Sequence, residues 1–168
     1  MQSGIRFLIP QLVTFTNLVL GTSAILISMN SQPKTAIILI LIAALIDRLD
    51  GKIARKLNAE SDLGKQLDSL SDLISFGVAP IVVAWKIGLL YIGIGGYITA
   101  ILFVIAGAFR LARYNVINFT GGFVGLPITL AGSFLALIML FTSHTNIIIP
   151  TSIVLSFLMV STIRFKKM

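Results

Sequence analysis

From Tyr114 to Ile163 the chain passes through two helix lengths of sequence without one Asp, Glu, Lys or Arg. Similar apolar runs fill most of the rest. Only 11% of the 168 residues are charged and 57% are hydrophobic, whereas soluble domains carry about 25% charged residues. In hydrocarbon, every backbone N–H and C=O must be paired within the protein, so runs of about 20 apolar residues cross as helices. The expected fold class is an all-α integral membrane protein, a bundle of six transmembrane helices in a single domain over residues 1–168.

The spans fall at Pro10–Met29, Lys34–Leu57, Gly64–Trp85, Tyr91–Tyr114, Leu126–Phe141 and Ile147–Ile163. Asn30 or Ser31 caps the turn between the first two, with Pro33 in the first helical turn. Arg6 and the apolar run behind it imitate a signal peptide. Polar Gln11, Thr14, Thr16 and Asn17 interrupt that run, so it reads as a retained span. With both termini cytoplasmic, one side collects Arg6, Arg48, Lys52, Arg55, Lys56, Lys65, Arg110, Arg113, Arg164, Lys166 and Lys167. The other side keeps only Lys34 and Lys86, which sets the orientation by the positive-inside rule. The net charge of +7 therefore reads as topogenic, suited to an anionic membrane surface or substrate, and no nucleic acid is expected as partner. Cysteine is absent and His144 is the lone histidine, which excludes disulfides, thiolate metal sites and histidine clusters.

All six acidic residues lie between Asp47 and Asp72. A carboxylate at the centre of a membrane helix costs about 2.5–3.5 kcal/mol on insertion scales. Asp47 and Asp50 are three apart, with Ala54 four further on, so they share a face of the second helix. Gly64, Asp68 and Asp72 recur every four residues and share a face of the third. Antiparallel packing of these helices brings the two carboxylate pairs together across a polar cavity. Their charge suits two divalent cations, Mg2+ or Mn2+, which can clamp phosphate oxygens. Gly51 and Ala54 remove bulk beside the carboxylates, and Lys52, Arg55 and Lys65 border the site and can hold a diphosphate. A structural polar network, or a proton or cation path in a transporter, is the alternative for such spacing taken alone.

The whole pattern, Asp47-x2-Asp50-Gly51-x2-Ala54-Arg55-x8-Gly64-x3-Asp68-x3-Asp72, resembles the signature of the CDP-alcohol phosphotransferases at every specified position. The six-span layout is also similar to that family. The resemblance implies cleavage of a CDP-linked lipid or alcohol with release of CMP. It implies that Asp47, Asp50, Asp68 and Asp72 bind metal and that Asp72 also serves as general base. It places Gly51 and Ala54 against cytidine, Arg55 on phosphate, and Gly64 where the nucleotide needs space.

Four further stretches resemble the membrane-embedded phosphatidylserine synthases of that family: Ile9-Pro10 with Thr14 and Asn17, Ser75–Pro80, Phe109–Asn115 and Gly121–Pro127. They imply CDP-diacylglycerol as donor and L-serine as acceptor. Other acceptors (glycerol phosphate, inositol phosphate) and an archaeal lipid donor would use the same chemistry. Relatives suggest a homodimer. Serine carries a carboxylate, and one or both of Arg110 and Arg113, three apart at the cytoplasmic end of the fourth helix, are expected to hold it or a phosphate. The same pair could instead anchor the helix end. Thr14 and Asn17 can contact the diphosphate or cytidine, or simply bond a neighbouring helix. Gly77 and Pro80 are expected to bend the third helix. A histidine-nucleophile mechanism has no second histidine to use, so direct attack by serine with inversion at phosphorus is preferred.

Overall fold

The computed structural model describes residues 2–57, 61–116 and 123–165, with side chains described over 11–48, 61–116 and 125–163. Helix α1 (Gln2–Met29) and helix α2 (Pro33–Leu57) form a closely packed hairpin. The turn between them closes α1 with paired backbone bonds, Gln32 N to Ile27 O at 3.4 Å and Ser31 N to Ser28 O at 3.1 Å. Ser31 takes the left-handed conformation (φ 62) that this cap requires, and Pro33 then opens α2, where no N–H is needed.

Helix α3 (Asp62–Asp72), a π-helical turn (Leu73–Val78) and helix α4 (Ala79–Ile87) make one continuous rod. Ser61 caps its start, its hydroxyl accepting from Gly64 N at 3.0 Å, and Asp62 in the first turn suits the helix dipole. Pro80 explains the π turn. It has no N–H, and in a regular α-helix its ring would strike the carbonyl of Phe76. The wider turn avoids this, with Ala79 N–H bonding back to Ile74 O. The sequence marked the right residues, and the structure accommodates them by widening one turn.

A 3-10 turn (Leu89–Ile92) and Gly93 delay helix α5 until Ile94, three residues later than expected, and it runs to Val116. Helices α6 (Ile128–Phe141) and α7 (Thr145–Val160) follow. The fold also departs from the all-helical expectation. Strand β1 (Phe123–Val124) pairs antiparallel with strand β2 (Arg164–Phe165), Phe123 opposite Phe165. This pairing explains why α7 stops at Val160 and does not run on to Ile163.

Among the described residues, three helices are long and apolar enough to cross a membrane, over Gln11–Met29, Asp62–Ile87 and Ile94–Val116, while α6 and α7 are shorter and apolar. Large apolar side chains occupy both the inside and the outside. Phe76, Phe103, Ile37, Ile40, Leu135 and Ile148 are buried, yet Leu12, Leu45, Ile98, Ile105, Phe141 and Phe157 are exposed. Helices apolar all round suit lipid rather than water, so the chain fits an integral membrane protein. Trp85 packs on Tyr97 with ring centroids 4.5 Å apart.

The α3–π–α4 rod is the axis of the structure, touching α1, α2, α5 and α6. Its contact with α1 is close enough to need glycine. A Cβ on Gly21 would lie 2.7 Å from the Ser75 backbone.

Candidate functional site

Five helices deliver polar side chains to one end of this rod. Asp68 and Asp72 come from α3, one helical turn apart, and Asp47 comes from α2. The three offer carboxylate oxygens that all lie within 4.8 Å of one another. Asp47 and Asp68 are half-buried, whereas Asp72 is 7% exposed. The cluster is therefore graded, with an accessible acidic mouth and a buried carboxylate at its base. Hard carboxylate oxygens this close together fit a divalent cation such as Mg2+ or Mn2+, which would relieve the repulsion that gathering them creates.

Both oxygens of Asp72 accept hydrogen bonds. Asn17 Nδ2 on α1 donates to Oδ1 at 3.3 Å, and Thr129 Oγ1 in the first turn of α6 donates to Oδ2 at 3.5 Å. Asn17 is held in turn by its own backbone, since Ser75 Oγ donates to Asn17 O at 3.0 Å and Ser71 Oγ donates to Thr14 O at 3.1 Å. Thr14 is buried and so faces the rod rather than lipid. Thus α1 docks through serines spaced four apart on the rod, and the docking aims Asn17 at the base of the cluster.

The two arginines of α5 part company. Arg110 is 7% exposed and its charge acts on Asp72. Its guanidinium lies 5.3 Å from the Tyr114 ring centroid, and its Nε has no hydrogen-bond partner. Arg113 turns to the end of α7. It donates to the carbonyls of Val160 at 3.0 Å, Ser161 at 3.1 Å and Met159 at 3.3 Å. These are the carbonyls that a helix end leaves unpaired. Gly125 makes room for this contact. Its φ of 77 is left-handed, and a Cβ there would meet Arg113 Nη2 at 2.7 Å and Met159 O. With Gly125 N bonded to Ile163 O and Leu126 N to Leu158 O, both at 3.0 Å, the segment leading into α6 is pinned. That pinning sets Thr129 beside Asp72.

A Cβ on Gly64 would meet the capping hydroxyl of Ser61 at 3.0 Å and nothing else among the described residues. Lys65 is exposed and pairs with Asp62 at 3.8 Å. Asp50, Gly51, Lys52, Ala54 and Arg55 lie on the α2 backbone, but their side chains are outside those described; Glu60, the sequon Asn118–Thr120, Gly121, Gly122, Lys166 and Lys167 lie outside the described residues altogether. Sequence reasoning missed Thr129, Ser71, Ser75 and Tyr114. The four-residue step from Asn17 to Gly21, matched by Ser71 to Ser75, was a usable signal for the α1 contact. Thr129 gave little, being one hydroxyl at the start of an apolar run.

The family model described as CDP-alcohol phosphatidyltransferase matches residues 7–162. The chain belongs to that family. A CDP-diacylglycerol–serine O-phosphatidyltransferase of Bacillus subtilis is 37% identical over 158 residues, covering 94% of this chain and 89% of the relative. A protein of the same name from Methanocaldococcus jannaschii is 38% identical over 162 residues, covering 95% of this chain and 74% of the relative. One from Mycobacterium leprae is 38% identical over 128 residues, covering 71% of this chain but 42% of the longer relative. The carboxylate cluster of this chain is accompanied by a buried arginine, Arg110, whose charge acts on Asp72.

Proposed function

We propose that this protein transfers the phosphatidyl group of CDP-diacylglycerol to the hydroxyl of L-serine, giving phosphatidylserine and CMP. The observation that carries the choice of acceptor is Arg110. A buried guanidinium whose Nε has no hydrogen-bond partner, and whose charge acts on the carboxylate that would take a proton, suits an alcohol that carries its own carboxylate.

In this reading Asp47, Asp50, Asp68 and Asp72 hold one or two divalent cations. When bound, such ions neutralise the diphosphate and favour departure of CMP. Gly51, Ala54 and Gly64 leave room for the nucleotide, and Arg55 and Lys65 hold its phosphates. Arg110 fixes the serine carboxylate, and Asp72 accepts the hydroxyl proton. The serine oxygen forms a bond to the phosphatidyl phosphorus, the bond from phosphorus to the CMP oxygen breaks, and CMP leaves with the electron pair. Asn17 and Thr129 keep both Asp72 oxygens aimed through this step. Arg113 shapes the site from behind by pinning α7 and the segment before α6.

The same reading has six membrane spans, the site and both termini toward the cytoplasm, and a homodimer. The positive-inside bias supports the orientation. Purified protein supplied with CDP-diacylglycerol, labelled serine and Mg2+ or Mn2+ should yield labelled phosphatidylserine and CMP. A product from glycerol 3-phosphate but none from serine would replace the acceptor. A donor with a chiral phosphorothioate should react with inversion, and retention would replace direct attack with a covalent intermediate.

A further inference from the structure

Among the described residues, three buried side-chain polar atoms have no hydrogen-bond partner: Asn17 Oδ1, Ser28 Oγ and Arg110 Nε. Ser28 lies eleven residues beyond Asn17 on α1, roughly 16 Å away at about 1.5 Å per residue. Of the other two, Asn17 bonds Asp72 through its amide nitrogen, and the charge of Arg110 acts on Asp72. Unpaired polar atoms in an apolar interior are costly, and most native ones have a partner. Two such atoms, one on a residue bonded to Asp72 and one on a residue whose charge acts on it, point to a ligand that supplies the missing partners.

Their chemistry is complementary. Arg110 Nε is a donor and can only meet an acceptor. The Asn17 amide is oriented by Asp72, because a carboxylate oxygen accepts from Nδ2 and repels a carbonyl oxygen. Its orphan atom is thus the oxygen, 1% exposed by residue, which can only meet a donor or a cation. A phosphate or diphosphate offers that oxygen nothing. The acceptor proposed above offers an ammonium, a carboxylate and a hydroxyl on neighbouring carbons, matching Asn17 Oδ1, Arg110 Nε and Asp72 in turn.

We propose that Asn17 Oδ1 and Arg110 Nε together form a receptor for a zwitterionic amino acid, with Asn17 accepting from its ammonium and so selecting serine over alcohols that lack one. The inference rests on the serine-transferase reading and deepens it. It also gives α1 a part in acceptor choice, in addition to the contact with nucleotide expected for Asn17.

The test compares three acceptors on the intact protein in detergent or lipid: L-serine, 3-hydroxypropionate, which lacks the ammonium, and ethanolamine, which lacks the carboxylate. On the unaltered protein both analogues should show kcat/KM at least about tenfold below serine, the size of one charge-assisted hydrogen bond. A 3-hydroxypropionate value equal to that of serine overturns the proposal without any variant, so folding is not an issue. In Asn17→Leu, turnover falls for all acceptors because Asp72 loses a donor. The ratio of serine to 3-hydroxypropionate should nevertheless collapse toward one, while the ratio of serine to ethanolamine persists. Mn2+ binding to the same variant, followed by calorimetry or electron paramagnetic resonance, should match the unaltered protein. Weakened Mn2+ binding with an intact serine to 3-hydroxypropionate ratio would make Asn17 a cation ligand and overturn the receptor. Absence of any product from serine, with another alcohol accepted, would instead remove the underlying reading.

Discussion

The carboxylate centre and the clasp at the end of α7 are both polar regions inside an apolar protein, and α5 feeds an arginine to each. In the clasp every contact is made. Arg113 donates to three carbonyls, and Gly125 leaves space for it. In the carboxylate centre capacity is left open. Three carboxylates crowd together, Asn17 Oδ1 lacks a donor and Arg110 Nε lacks an acceptor. A saturated polar region stabilises a fold, whereas an unsaturated one costs stability and is kept for what it binds. Two arginines three residues apart thus differ in their partners, one saturated by carbonyls and the other with an unpaired Nε.

Substitutions can break that comparison. The largest effect is expected for Asp72→Asn, which removes the proton acceptor but keeps shape. CMP release should fall by about 10²- to 10⁴-fold, and an unaltered rate would dissolve the centre as the site of reaction. Arg110→Gln should raise the KM for serine by about 10- to 100-fold, corresponding to about 1.5–3 kcal/mol for a hydrogen bond to a charged group. Arg110→Lys should recover part of this loss. Arg113→Ala should act on stability instead, lowering the thermal midpoint through loss of about 1–3 kcal/mol of bonding to carbonyls, with the serine KM of the folded protein within about twofold of normal. If Arg113→Ala raised the serine KM as much as Arg110→Gln without loss of stability, the division between the two regions would fail. The smallest change is expected for Thr129→Val. Its bond to Asp72 is long, 3.5 Å, and kcat should drop about two- to fivefold, equivalent to about 0.5–1 kcal/mol. Thr129→Ser should keep the normal rate.

Much of the site could be read from spacing. Asp68 and Asp72 are one helical turn apart, so any helix there presents both on one face, and a short connection makes their meeting with Asp47 the natural outcome. The arginines show the limit of that reasoning. A step of three residues in an α-helix turns the side chain by about 60° from alignment. At the end of α5 this suffices to send Arg110 toward α3 and Arg113 toward α7. Spacing alone gave them one shared face and left open whether one, both or neither holds substrate. Thr129 was invisible for a related reason, since its importance depends on the pinned turn around Gly125 that brings the start of α6 to Asp72.

The helical, lipid-suited character of the chain was settled by its sequence, because apolar residues in such proportion leave a backbone no other way to pair its polar groups. The pairing of Asp68 with Asp72 was settled similarly, by a helical repeat that is local in the chain, while Asp47 joins them from α2 through tertiary packing. Which polar atoms would be satisfied, and which left open, was decided only when α1, α5, α6 and α7 closed around the rod. A hydrogen bond between residues some fifty positions apart, such as Asn17 to Asp72, depends on packing, and local periodicity carries no record of it.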